Sequence, residues 1–214
     1  MNPKLIIFDQ DGVLVKSNDA HVEACQSALR KVGITDVPDE EIIKHFGENA
    51  LVTLKNSMGS GYTEKKLKVA AEHYYSLTFS DWFLERIEKI PNLREFLIKL
   101  KKKKIKLAVA SGNPNSFIEK ILKYLDVNDV FDLIIGINDV KKSKPDPEML
   151  LKAIEHFGVK PKETLFVADA PNDIIAGKKA GVKIAVVLTG VLDRKRAEKL
   201  GINFIFEDVT KLKF

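Results

Sequence analysis

The sequence predicts an α/β fold: a parallel sheet with helices on both faces, interrupted near its start by an inserted helical lobe. Three observations carry that expectation. Six short apolar runs recur, at residues 5–8, 105–110, 133–137, 165–168, 184–188 and 204–206. From residue 105 onward they alternate with helical patterns, which implies parallel pairing and a sheet covered on both sides. Between the first two runs, from residue 16 to 82, no comparable strand pattern appears, and that stretch is too long for a loop in a compact domain.

The first run, Leu5-Ile6-Ile7-Phe8, lies between Lys4 and Asp9 and reads as a short buried strand. It runs directly into Asp9-Gln10-Asp11-Gly12. Two carboxylates at a strand end resist joint ionisation, so a divalent cation or a shared proton is expected to compensate them. Gly12 frees the backbone to turn sharply.

Residues 16–81 then read as several amphipathic helices, broken near residues 35–38, at Gly47 and near 58–61, with hinges near 16–17 and 80–82. The expected division is therefore 1–15 with 82–214 for the α/β core, and 16–81 for the helical lobe. Trp82 and Phe83 are read as packing at the junction.

Beyond the lobe, Leu93, Phe96, Leu97 and Leu100 fall at helical spacing. The run Lys101–104 thus sits at a helix C-terminus, where the macrodipole favours cations. Further helices carry Phe117, Ile118, Ile121, Leu122 and Leu125, and then Leu150, Leu151, Ile154 and Phe157. Gly33, Gly158, Gly181 and Gly201 each follow a helical segment as expected of C′ residues. Asn113-Pro114 and Asp146-Pro147 read as an N-cap followed by proline at N1.

Composition bounds the function. The chain of 214 residues, 45% hydrophobic and 30% charged, suits one core with a smaller attached lobe. Its net charge of +5 is a small excess of 35 basic over 30 acidic residues, and no aromatics interleave with the lysine run, so no nucleic-acid partner is expected. Cys25 stands alone, which excludes an intramolecular disulfide and fits a reducing compartment. No stretch reads as a signal peptide or a membrane span, so a cytoplasmic protein without a membrane partner is expected. Oligomeric state stays open.

In an open parallel sheet, ligands bind beyond the carboxyl ends of the strands. Asp9 and Asp11 follow the first strand, Ser111-Gly112-Asn113 the second, Lys144 lies after the third, and Asp169 and Asp173 follow the fourth. If these strands are neighbours, carboxylates, a hydroxyl and a lysine converge. Such a set suits Mg²⁺ and a phosphate, with the amides after Ser111 forming an anion site at a helix start. Alone, each element has a plainer reading: a turn or calcium loop, a capping loop, a solvated lysine, or caps for a helix beginning near Asn172. Their order, each after its own strand, is the stronger signal. His45, His73 and His156 share no ligand spacing, so zinc is not expected.

These residues resemble the haloacid dehalogenase-like superfamily. Its first motif, Asp-x-Asp-Gly-Val/Thr after an apolar strand, matches Asp9 to Val13. A strand-ending Ser or Thr matches Ser111, a Lys before Pro-x-Pro matches Lys144, and a paired acidic segment matches Asp169 and Asp173. The insertion looks like the helical cap of the phosphoglycolate phosphatase and β-phosphoglucomutase branch. The resemblance implies a Rossmann-like core and a phosphoric monoester hydrolase: Asp9 as nucleophile and Asp11 as general acid and base. It implies Mg²⁺ held by Asp9, the Asp11 carbonyl and Asp169, supported by Asp173. Ser111, Gly112, Asn113 and Lys144 would bind the phosphoryl group. Asp11 sets the chain apart from the haloacid dehalogenases, which lack that acid. The sequence departs from the pattern at Ala168 and Ala170, where Gly and Ser are usual, and at Lys16, where relatives often carry Asp. His21 lies where relatives often have His; a plain polar role in the lobe explains it as well, and it is not placed in the catalytic set.

The expected function is a Mg²⁺-dependent phosphatase acting on a small phosphorylated metabolite. The alternatives are a hexose phosphomutase using the same phosphoenzyme and a noncatalytic phosphate-binding regulatory protein. Acidic Glu48 after Gly47, where mutase relatives often have Arg, would repel a distal phosphate and favours the phosphatase.

Overall fold

All six apolar runs form strands of one parallel sheet in the computed structural model, which describes residues 2–213. The strands are β1 (Leu5–Phe8), β4 (Lys106–Ala110), β5 (Leu133–Ile135), β6 (Thr164–Ala168), β7 (Lys183–Val187) and β8 (Ile205–Phe206), in the spatial order β5-β4-β1-β6-β7-β8. A separate antiparallel pair joins β2 (Val15–Lys16) to β3 (Glu88–Lys89). β1 lies in the middle: Leu5 is level with Lys106 on one side and with Thr164 on the other. That register aligns the ends of β4, β1 and β6, so the residues that follow them emerge side by side.

The strands are buried on both faces, and their alternation builds two cores. Ile6 and Phe8 join Leu107, Val109, Leu165 and Val167 on one face. There they meet α6 (Leu93–Lys102) and α7 (Asn115–Tyr124) through Leu97, Phe117 and Ile121. Leu5 and Ile7 join Ala108, Phe166 and Ile184 on the other. That face is covered by α8 (Glu148–Phe157), α9 (Pro171–Ala180) and α10 (Arg194–Lys199), through Leu150, Ile174 and Ala197.

Residues 18–84 are helical: α1 (Asn18–Lys31), α2 (Asp39–Ile43), α3 (Ala50–Ser57), α4 (Glu64–Thr78) and α5 (Asp81–Leu84). They enclose a third apolar cluster that includes Cys25, Leu29, Ile42, Leu54 and Tyr74. Trp82 packs against both this cluster and the sheet, while Phe83 is fully buried on the sheet side. Burial pushes the Cys25 thiol up to about 12, so it is an inert packing group. No helix among the described residues is long and apolar enough to cross a membrane.

Three local expectations change. Helices α7 and α8 start one residue later than the Asn-Pro and Asp-Pro pairs imply, leaving Pro114 and Pro147 at the cap position. Asp146 still accepts the Glu148 amide at 3.1 Å, whereas the Asn113 side chain is drawn to Asp11 instead. The third strand stops at Ile135 because the Gly136 amide turns to the Asp139 carboxylate (2.9 Å), starting a 3₁₀ turn. The β2–β3 pair has no counterpart in the sequence reading, since two-residue strands carry no periodicity. Lys16 and Glu88 meet across it at 2.9 Å, both well exposed.

Phe166 is fully buried in a central strand, so Phe166→Ala is expected to lower unfolding free energy by about 3–5 kcal/mol. Ile175→Ser, at a position 41% exposed, is expected to change it by less than about 0.5 kcal/mol. Urea denaturation of both variants checks the contrast.

Candidate functional site

At the carboxyl ends of β1 and β6, Asp9, Asp169 and Asp173 bring carboxylate oxygens within 4.8 Å of one another, all buried. Asp9 and Asp169 directly follow their strands, and Asp173 lies in the first turn of α9. Lys144 reaches into this cluster from the loop after β5. Its Nζ is 2.8 Å from Asp9 Oδ1 and 2.7 Å from Asp173 Oδ1, and it donates to the Ala110 carbonyl at 3.4 Å. Among the described residues the ammonium is the sole partner of Asp173 Oδ1, and Asp173 Oδ2 is buried without a donor.

Three buried carboxylates facing one ammonium are under-compensated. Burial, with repulsion from Asp173, raises Asp9 to about 7 despite the attraction of Lys144. Burial, with Asp173 and Asp9, pushes Asp169 well above the usual carboxylate range. Burial alone would lower Lys144, but Asp173 and Asp9 overcome it and hold the ammonium charged. The set is one of hard oxygen donors with unmet charge and unmet hydrogen bonding, which suits a divalent cation.

Asp11 faces the opposite environment. Its carboxylate turns away from the cluster and meets Ser17 Oγ at 2.6 Å, His21 Nε2 at 3.0 Å and Asn113 Nδ2 at 2.6 Å. Burial would raise it, but His21 and the three hydrogen bonds hold it below its ordinary value. His21 is itself oriented through Nδ1 by the Tyr74 hydroxyl at 2.6 Å and packs against Phe83 with ring centroids 4.7 Å apart. Any metal contact from Asp11 therefore falls to its main chain, not its side chain.

Ser111, buried at the end of β4, accepts from the Asn113 amide at 3.3 Å, and Gly112 follows it. A Cβ added at Gly112 would lie 3.1 Å from the Glu48 carbonyl oxygen, so the Gly47-Glu48 turn presses on this loop. A Cβ at Gly47 (φ +89°) would lie 3.2 Å from Asn172 Cβ and 3.3 Å from Ala170 Cβ, and Asn172 Nδ2 donates to Glu48 Oε1 at 3.2 Å. Ala170, where the resembled pattern has Ser, thus packs against the glycine of this turn. The helical segment and the sheet ends together enclose a cavity of about 60 Å³ bounded by Asp9, Asp11, Ser111, Lys144 and Asp169 on the sheet side.

Sequence reasoning left out two supports of this site. One is the pair His21 and Tyr74; the position of His21 was a signal, whereas nothing in sequence aims Tyr74 at it. The other is the Thr189-Gly190-Val191 loop after β7. Thr189 Oγ1 donates to the Gly12 carbonyl at 2.6 Å and the Val191 amide to Asp169 Oδ2 at 3.0 Å. The strand-end rule, applied once more after the fifth run, points to it.

Asp169 is clamped between two glycines. A Cβ at Gly12 (φ +71°) would lie 2.3 Å from Asp169 Oδ2, and one at Gly190 only 1.9 Å from it. Gly190→Ala is expected to expel the Asp169 carboxylate and break its bond to Val191, costing about 1–3 kcal/mol. Gly158→Ala, at φ +61° with nothing within 4 Å of the added carbon, leaves the site intact. Crystal structures and thermal unfolding of the two variants check this.

Residues 6–187 match the family model described as haloacid dehalogenase-like hydrolase. The chain is 31% identical over 187 residues to a phosphoglycolate phosphatase of Aquifex aeolicus, covering 87% of this chain and 85% of that one. It is 27% identical to pyrophosphatase PpaX of Bacillus cereus, covering 99% of this chain and 95% of the relative. The crystal structure of a hydrolase from Pseudomonas syringae superimposes with a TM-score of 0.83 at 26% identity, covering 96% of this chain and 94% of that one.

Proposed function

The chain belongs to the haloacid dehalogenase-like hydrolase family, and from that premise we propose that it is a Mg²⁺-dependent phosphatase hydrolysing a small phosphorylated metabolite. The observation that carries the proposal is the contrast between Asp9 and Asp11. Asp9 faces Lys144 and the Asp169–Asp173 carboxylates, where a cation would keep it ionised for attack, whereas Asp11, two residues on, is turned to Ser17, His21 and Asn113 and stays outside that cluster for proton transfer.

Asp9 attacks phosphorus as the bond to the leaving alcohol oxygen breaks, giving an aspartyl phosphate. Asp11, entering with a proton, transfers it to the leaving oxygen. It then takes a proton from the water that attacks the same phosphorus, releasing inorganic phosphate and restoring Asp9. The ionised, three-bonded Asp11 described above is its base form. Ser111 and the amides of Gly112 and Asn113, ahead of α7, receive the phosphoryl oxygens. The Asn113 side chain holds Asp11. Lys144 fixes the rotamer of Asp9 and offers positive charge to the phosphoryl group.

Asp9, the main-chain carbonyl of Asp11 and Asp169 would hold Mg²⁺, with Asp173 in support. The ion would supply the positive charge that lets an ionised Asp9 approach an anionic phosphoryl group. Residues 16–81 act as a cap that excludes water from this chemistry, and residues 1–15 with 82–214 form the catalytic core. Glu48 in the cavity wall counts against a phosphomutase, which must hold a second phosphate. The proposed enzyme is cytoplasmic.

Hydrolysis of p-nitrophenyl phosphate tests the reading. Chelation of divalent cations is expected to abolish turnover and added Mg²⁺ to restore it. Asp9→Asn is expected to lose essentially all activity, and Asp11→Asn about 10²–10⁴-fold. Magnesium-independent turnover, or an Asp9→Asn variant with full activity, would overturn the mechanism.

A further inference from the structure

The wall of the cavity opposite the catalytic carboxylates comes from the helical segment, and its charge is one-sided. Phe46, Ala50, Thr53 and Cys25 are uncharged, and His21 has both ring nitrogens engaged, by Asp11 and Tyr74. Among the described residues lining the cavity, the only Lys or Arg is Lys144, whose ammonium is already shared by Asp9 and Asp173. Glu48 is the one carboxylate on the far wall. It is held at both ends, its side chain by the Asn172 amide and its backbone by close approach to Gly112. The bond to Asn172 sets where the carboxylate sits when an anion enters. Glu48 therefore acts as a repulsive element in substrate selection.

We propose that the substrate's leaving group is an uncharged alcohol, and that Glu48 excludes phosphomonoesters carrying a second anionic group. This inference rests on the phosphatase reading and narrows its substrate class. It also separates the chain from what its relatives' names describe, since phosphoglycolate carries a carboxylate and pyrophosphate a second phosphoryl group. The competing attraction for a distal anion is the N-terminus of α3. There Asn49 already accepts the Val52 amide through its side chain, which reduces the donors left for a ligand.

A matched pair of non-hydrolysable phosphonates tests the proposal without turnover. Ethylphosphonate and phosphonoacetate share a two-carbon chain and differ in the terminal group, a methyl in one and a carboxylate in the other. Isothermal titration at equal free Mg²⁺ is expected to give ethylphosphonate at least about tenfold tighter binding. In Glu48→Gln, which retains an oxygen for Asn172, the ratio is expected to narrow at least about threefold, through tighter phosphonoacetate binding. Equal or tighter binding of phosphonoacetate by the unmodified protein would overturn the proposal and assign the second anion to the α3 amides. A ratio unmoved by Glu48→Gln, or no binding of either phosphonate, would overturn it as well. Hydrolysis of p-nitrophenyl phosphate is read separately. A protein that prefers ethylphosphonate yet hydrolyses nothing keeps this selectivity and loses the phosphatase reading.

Discussion

An ammonium buried between carboxylates at the end of the central strand is the contact on which the rest of the site depends. Lys144 lies within 2.8 Å of Asp9 and 2.7 Å of Asp173, and all three are almost wholly removed from solvent. Isolated in such surroundings, any one of these charges would cost several kcal/mol, and removing one partner of a buried pair typically costs about 3–5 kcal/mol. The cluster exists because β1 is central, flanked by β4 and β6, so that three chain segments deliver polar residues to one end of the sheet. The apolar strands hold the carboxylates close, and the lysine makes that closeness tolerable.

One ammonium does not balance three carboxylates, and the imbalance shifts their ionisation. Asp9 and Asp169 are pushed toward their neutral forms. Asp11, only two residues from Asp9, is surrounded by donors and pulled the other way. The chain bends at Gln10, between them, and the two side chains enter different environments. The contrast in their ionisation therefore follows from the path of the backbone and its neighbours, not from any difference between two aspartates.

Much of this was legible in the sequence. Buried strands betray themselves as apolar runs, and the rule that ligands gather at the carboxyl ends of a parallel sheet selects Asp9, Asp11, Ser111, Lys144, Asp169 and Asp173. The losses have physical causes. Asn113 reads as a helix cap because local spacing cannot reveal Asp11, which lies across the sheet and takes its amide. Tyr74 belongs to a helix whose orientation over the sheet is set by tertiary packing. Gly190 carries no side chain to advertise its role, which lies in the room it leaves for Asp169.

The strand order also dictates when the site can exist. β1 leaves the ribosome before the other strands of its sheet, yet it belongs between partners that come much later, Leu5 pairing with Lys106 and with Thr164. The loop that seats Asp169 is later still, at Val191. Contacts so distant along the chain are costly to close and slow to form. The helices between β1 and β4 possess their own apolar cluster and can collapse early, whereas Asp9 must wait, on a hydrophobic segment with both edges unpaired, until most of the polypeptide has been made. During synthesis that segment is the part of the molecule most in need of protection from wrong partners.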